Sequence, residues 1–383
     1  MQSFGPLQDC LSKPLGPLHR GFFFAFLLPI TCLLFINMLN QTCLKRFLIL
    51  TSLVFSIHCT TKGTSMSDHF DGEKFFNPVD QKSKTFLDFL KWQLNRNSPT
   101  WIEQKNEKTP APVNALKPGE FALTFINHAT FLIQVQTPKR LVNIVTDPVF
   151  SARTSPFQFM GPKRFRPPGL ELNNLPPIDL VLVSHNHYDH MDYNSLEKLN
   201  EKFSPLFVVP LKNAHYLNFT KETRVQEKDW GEFVDVPELE IKIHVLRSHH
   251  WSRRSMLDTN EALWCAFMIE FGDKTIYFAG DTGYKDHFKQ TKERFPNITL
   301  AMLPIGAYEP RWFMQDAHMN PEDAVKAHKD LSPKRSVGIH FGTFQLTDEA
   351  IDQPVIDLES AKKAANVNNF EVLKEGETKT YTD

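Results

Sequence analysis

Three histidines and a carboxylate, His185, His187, Asp189 and His190, fall within six positions directly after the apolar run 178–183. That run reads as a buried strand. Side chains alternate faces along a strand, so His185 and His187 at its end point to the same side and can grip one cation. Asp189 and His190 follow as the chain turns away, and they offer a second carboxylate and imidazole close by. Neutral imidazoles and carboxylates are the ligands that a borderline divalent metal such as zinc takes. The competing reading is a metal-free surface cluster, but histidines this dense point to metal.

One cluster holds too few ligands for two ions, and further candidates lie downstream. His250 sits just past a predicted strand at 241–246, Asp281 just beyond another at 275–279, and His340 closes a third at 335–340. Each occupies the C-terminal end of a strand, so all can converge on one edge of a sheet. Singly, Asp281 reads as a turn aspartate and His340 as a core histidine; beside the first cluster they read as ligands. Asp147 ends the strand 141–146, a position from which it can orient a ligand histidine. No Gly-x-Ser-x-Gly elbow is present to supply a serine nucleophile.

The strand pattern sets the fold class. Runs at 121–126, 130–135, 141–146, 178–183 and 207–209 form one strand-rich half, with a helix at 193–199 and a short helix near Ala214. Runs at 241–246, 262–271, 275–279, 299–304 and 335–340 form the second, with helices at 285–295, 321–331 and 358–365. Two such halves imply sheets packed face to face with helices outside, an α+β architecture. With 43 basic and 44 acidic residues, the net charge of −1 gives no sign of a nucleic-acid binder. Four of the five cysteines, Cys10, Cys32, Cys43 and Cys59, precede the globular part, and Cys265 alone cannot form a disulfide within it.

Three regions follow: a membrane-targeting segment at 1–59, an N-terminal arm at 60–118 and a catalytic domain at 119–383. The first holds apolar stretches at 21–39 and 47–57, separated by a polar segment with Lys45 and Arg46. The first stretch is just long enough to span a bilayer, though Pro29 and Asn37 interrupt it. The second has the size of a signal-peptide core. Three readings stand: an uncleaved anchor at 21–39, a hydrophobic hairpin of both runs, or a signal beginning at Met38 that leaves a lipidated Cys59, although His58 is not the small residue usual before such a cysteine. Each places the protein at a membrane, in a bacterial cell envelope. The arm carries a helical pattern at 83–94 and reads as a segment packed on the domain, with a flexible tether as the alternative.

The His-x-His-x-Asp-His pattern after a strand resembles the metallo-β-lactamase superfamily of binuclear metal hydrolases. The wording from about residue 67 onward is similar to the N-acyl-phosphatidylethanolamine-hydrolysing phospholipase D group. The matching pieces are Asn-His-Ala-Thr-Phe at 127–131, Thr-Asp-Pro-Val-Phe-Ser at 146–151, Met-Gly-Pro-Lys-Arg-Phe at 160–165, the segment 184–194, His250-Trp251, Gly-Asp-Thr-Gly-Tyr at 280–284, Pro-Arg-Trp-Phe-Met at 310–314 and His-Phe-Gly-Thr-Phe at 340–344. The resemblance implies an αββα sandwich of two packed mixed sheets flanked by helices, with two zinc ions at one edge. It implies that His185, His187 and His250 hold one ion, that Asp189, His190 and His340 hold the other, and that Asp281 bridges them. His250 is preferred to His249 because the family's ligand directly precedes the tryptophan.

The activity implied is phospholipase D-type cleavage of N-acyl-phosphatidylethanolamine to N-acylethanolamine and phosphatidic acid. In it Asp189, Asp281 and the non-ligand His318 serve the chemistry, since paired metals activate water and stabilise an in-line displacement at phosphorus. His318 has a rival reading as a capping residue before the helix at 321. The loop 157–166 interleaves apolar and basic residues, which suits a phospholipid at a membrane surface or, alternatively, a loop with its charges in solvent. The rival function is a small-molecule hydrolase such as an ascorbate-phosphate-type lactonase, set apart by a small polar cavity in place of an apolar channel. A non-catalytic binding lipoprotein fits less well with a complete ligand set. Oligomeric state is not legible in the sequence.

Overall fold

A computed structural model describes residues 67–79, 84–105 and 112–382 of the chain. The expectations for residues 1–59 lie outside the described residues. Among those described, no helix is long and apolar enough to cross a membrane.

Two seven-stranded sheets make up the core. The first is built from β1 (Phe121–Asn127), β2 (Thr130–Gln136), β3 (Leu141–Thr146), β4 (Leu180–Leu182), β5 (Leu206–Pro210), β6 (Arg224–Lys228) and the C-terminal β14 (Thr378–Tyr381), in the order β14-β1-β2-β3-β4-β5-β6. The second contains β7 (Phe233–Val236), β8 (Ile241–Leu246), β9 (Ala266–Phe271), β10 (Lys274–Phe278), β11 (Leu300–Pro304), β12 (Arg335–Ile339) and β13 (Phe370–Glu371), in the order β13-β12-β11-β10-β9-β8-β7. Both sheets mix hairpin pairs with parallel ones: β3 to β6 run parallel, as do β10 to β13. Alternation along β1 shows how one strand serves two layers. Phe121, Leu123 and Phe125 enter the core shared by the two sheets, while Ile126 joins Leu132, Val145, Val181 and Phe207 beneath helix α2 (Tyr193–Phe203). On the second sheet lie α3 (His287–Arg294), α5 (Pro321–Leu331) and α6 (Gln353–Ala365), with the single turn α4 (Arg311–Met314) between β11 and α5. This is the sandwich of two mixed sheets flanked by helices that the sequence implies.

Several boundaries differ for identifiable reasons. The strand expected at 178–183 is cut to Leu180–Leu182, because Asp147 takes the backbone N–H of Ser184 at 2.7 Å in place of a ladder carbonyl. Residues 262–265 form a buried loop, not strand, in which Leu263 N–H donates to Leu211 and Cys265 N–H to Ser184. Helix α6 starts at Gln353, five residues before the expected 358, with Pro354 in the first turn, where a missing N–H costs nothing.

The segment before β1 lies along the domain. Phe70, Phe75, Trp92 and Trp101 are buried. His69 Nε2 meets Asp229 at 2.7 Å, and its ring stacks on Trp230. Helix α1 (Phe86–Leu94) starts at a reciprocal cap: Thr85 Oγ1 accepts the Asp88 N–H, and Asp88 Oδ2 accepts the Thr85 N–H at 2.8 Å. Ser83, where the sequence pattern begins, lies outside the described residues.

Candidate metal centre

Every strand that feeds the site points its C-terminal end the same way. β1, β3 and β4 in the first sheet and β8, β10 and β12 in the second all run in one direction, so the residues just past them share an edge. Several of these residues take left-handed backbone conformations: His128 at φ 48°, Asp147 at 33°, Gly280 at 58° and His340 at 61°. Such conformations cost about 1–3 kcal/mol each in residues other than glycine and cluster at functional sites. At Gly280 a side chain has no room, since a Cβ would lie 2.8 Å from that of Ser184. Glycine therefore lets the chain turn and present Asp281.

The seven expected ligands come together here. His185 Nε2 lies 2.9 Å from His187 Nδ1, which is 3.2 Å from His250 Nε2. Alongside, Asp189 Oδ2 is 3.5 Å from His190 Nε2 and 3.4 Å from His340 Nε2. Asp281 stands between the two groups, with Oδ2 3.2 Å from His190 and 3.7 Å from His250, and Oδ1 3.1 Å from His340. His187 presents Nδ1 to the group, and its neighbour is reached by a loop beyond β4, not by the strand periodicity expected from sequence.

The outer nitrogens of His185, His190 and His250 are tied down, which fixes those three rings. His185 Nδ1 meets Ser184 Oγ at 2.9 Å, and His250 Nδ1 donates to the Ala317 carbonyl at 3.0 Å. His190 Nδ1 lies 2.7 Å from Asp147 Oδ2, an oxygen that also accepts the Ser184 hydroxyl at 2.7 Å. Asp147 thus stands where a ligand histidine needs its orienting carboxylate. His249 turns away, its Nδ1 on the Asp316 carbonyl at 2.8 Å.

His318 reaches the cluster as well: Nδ1 is 3.7 Å from Asp281 Oδ2, and its ring lies 5.2 Å from that of His250. It does not cap α5. Asn320 does, accepting the Asp323 N–H at 2.9 Å. One residue was missed by the sequence reading. His128, at the end of β1, brings Nε2 to 3.1 Å from Asp189 Oδ2. Its signal was available, since it closes a strand like the other candidates.

Burial governs the charges. It pushes the His187 and His318 rings down to about 4 and His128 to about 3, and drives His185 and His250 well below their ordinary value. Burial also opposes charge on His190 and His340, but Asp281 and Asp189 outweigh it; His190 is raised well above its ordinary value and His340 to about 9. The metal-free cluster thus balances its carboxylates with protons. A cation suits it better: His190 Nε2, Asp281 Oδ1 and His318 Nδ1 are buried without a hydrogen-bond partner, and two overlapping groups of imidazole and carboxylate donors share Asp281. The donor set fits bound metal.

The chain is 38% identical over 237 residues to a protein named N-acyl-phosphatidylethanolamine-hydrolyzing phospholipase D 1 from Caenorhabditis elegans, an overlap of 60% of this chain and 65% of that one. It is 40% identical over 223 residues to a mitochondrial N-acyl-phosphatidylethanolamine-hydrolyzing phospholipase D from Saccharomyces cerevisiae, covering 57% and 47%. It therefore spans less than two thirds of the length of either relative. A metallo hydrolase from the archaeon Ignicoccus hospitalis shares the fold, with a TM-score of 0.51 and 21% identity over 68% of this chain and 98% of that one. Residues 142–341, just over half of the chain and most of the site, match the family described as Beta-lactamase superfamily domain, and the chain belongs to that superfamily.

Proposed function

We propose that the protein is a metal-dependent phosphodiester hydrolase using two zinc ions, of the phospholipase D type, that cleaves N-acyl-phosphatidylethanolamine to phosphatidic acid and N-acylethanolamine. The observation that carries the hydrolase reading is Asp281, whose two buried oxygens face two separate histidine groups. His185, His187 and His250 would hold one ion, Asp189, His190 and His340 the other, and Asp281 both. Paired divalent ions lower the pKa of water toward neutrality and stabilise the attacking and leaving oxygens of an in-line displacement.

The protein's own groups do the rest. His318 Nδ1 is buried without a hydrogen-bond partner, 3.7 Å from Asp281 Oδ2, beside the centre where a phosphoryl group would bind. Burial keeps its ring neutral near pH 7, suiting it to hydrogen-bond a phosphoryl oxygen or assist the leaving group.

One feature supports a lipid substrate beside the names of the relatives: segments near the site expose large apolar side chains. Phe157, Phe159 and Met160 crown the loop whose Arg164 packs on Phe344, and Met256 and Leu257 follow Trp251, whose ring lies 4.5 Å from that of His187. Apolar tips beside basic Arg153, Lys163 and Arg253 suit a phospholipid surface.

The test is product analysis with the full chain in mixed micelles, against a panel of lactones and soluble phosphodiesters. The expected result is phosphatidic acid and N-acylethanolamine, suppressed by a chelator and restored by zinc. Turnover confined to lactones or soluble diesters would overturn the lipid assignment.

A further inference from the structure

His128 is 2% exposed and sits at the left-handed corner between β1 and β2. Its backbone joins the two sheets at the site: the N–H donates to Thr343 Oγ1 at 2.9 Å, and the carbonyl accepts the His340 N–H at 2.8 Å. Its ring lies 4.0 Å from that of His340, with the Phe344 ring edge-on at 5.5 Å. A core histidine with a packing role would leave its nitrogens to backbone carbonyls or water. Here Nε2 faces the carboxylate of Asp189 at 3.1 Å, on the same Oδ2 atom that His190 and His340 approach.

The pattern of ion pairs distinguishes His128 from His190 and His340. His190 and His340 each reach both Asp189 and Asp281, whereas among the described residues the ion pairing of His128 runs to Asp189 alone. A ring nitrogen of His128 lies within 4.8 Å of donor atoms of Asp189, His190 and His340, but His128 belongs to neither group that contains Asp281. We infer that His128 is a positioning residue that donates its Nε2–H to Asp189 Oδ2 and so fixes this carboxylate for the second of the two ion sites. The partner is analogous to Asp147 behind His190, but of opposite chemistry: a neutral donor on a ligand carboxylate in place of a carboxylate on a ligand histidine. The inference rests on the two-ion reading above, but not on the lipid substrate.

The consequence is an asymmetry between sites. Loss of the His128 donor weakens the site of Asp189, His190 and His340 and leaves that of His185, His187 and His250 intact. Zinc alone is the probe, titrated into the chelator-stripped full chain in competition with a chromophoric chelator. For His128→Ala we expect one zinc to bind as in the wild type and the other to bind about tenfold to a hundredfold more weakly. His128→Gln, whose side-chain amide N–H can take the place of Nε2–H, should recover most of the loss and serves if the alanine variant does not fold. Unchanged affinity at both sites in either variant would overturn the inference. So would equal loss at both sites without recovery by glutamine, which marks a structural role only. Wild-type protein that takes up no zinc overturns this inference and the two-ion reading together; wild type that binds two zincs but releases no phosphatidic acid overturns the substrate alone.

Discussion

At the scale of single residues, the proposed site consists of candidate ligands, groups that would orient them, and one histidine, His318, assigned to neither task. The candidates were legible because metal chemistry restricts residue types, and His185, His187, Asp189 and His190 fall within six positions. His128 was overlooked because a lone histidine in Asn-His-Ala has no spacing motif, although it closes a strand as the other candidates do; its contact with Asp189 at 3.1 Å is visible only in the fold. His318 tests the division of labour. His318→Ala should slow turnover by about tenfold to a thousandfold while zinc content by elemental analysis stays at the wild-type value; loss of zinc would make it a ligand. His340 gives a pH signature. Its pKa in the metal-free fold is raised from 6.5 to about 9, so its protonated form stabilises that fold fully below pH 6.5, and the contribution is lost as pH rises through about 9. Thermal melts of stripped protein should therefore fall across that window, and saturating zinc should remove the fall by replacing the proton. A flat profile without metal would contradict the assignment.

At the scale of elements, fully buried strands such as β1, β2 and β3 were readable from their apolar runs. The edge strands were not. β6, Arg-Val-Gln-Glu-Lys, is polar and half exposed, and β14 pairs with β1 from more than 250 residues away, so neither announces itself locally. Helix α4 was missed because four residues leave no periodicity. The segment 84–105 is pinned to the domain by Trp92, Arg96 and Trp101. Trp92 stacks on Phe313 at 5.1 Å and donates to Asp348 at 2.8 Å, while Phe86, Leu87 and Leu94 of the same helix face solvent. Trp92→Ala removes a packing contribution of about 3–5 kcal/mol. Limited proteolysis should then cut this segment well before the sandwich; cleavage at the wild-type rate would show that Trp92 is not one of its anchors.

At the scale of the whole molecule, two sheets with parallel strand ends facing one edge gather residues from Asp147 to His340 into one centre. That convergence could be argued from sequence because each candidate closed a strand. The stitching of the two sheets, by the His340 N–H on the His128 carbonyl and the Cys265 N–H on that of Ser184, could not. The account turns on Asp281 joining two ion sites into one catalyst. The most direct test titrates zinc back into chelator-stripped full chain while following hydrolysis of N-acyl-phosphatidylethanolamine, for wild type and Asp281→Ala. Activity should rise as the wild type fills to about two zincs per chain and be absent from the variant at any zinc level. Full turnover by stripped wild type, or by Asp281→Ala, would contradict the account.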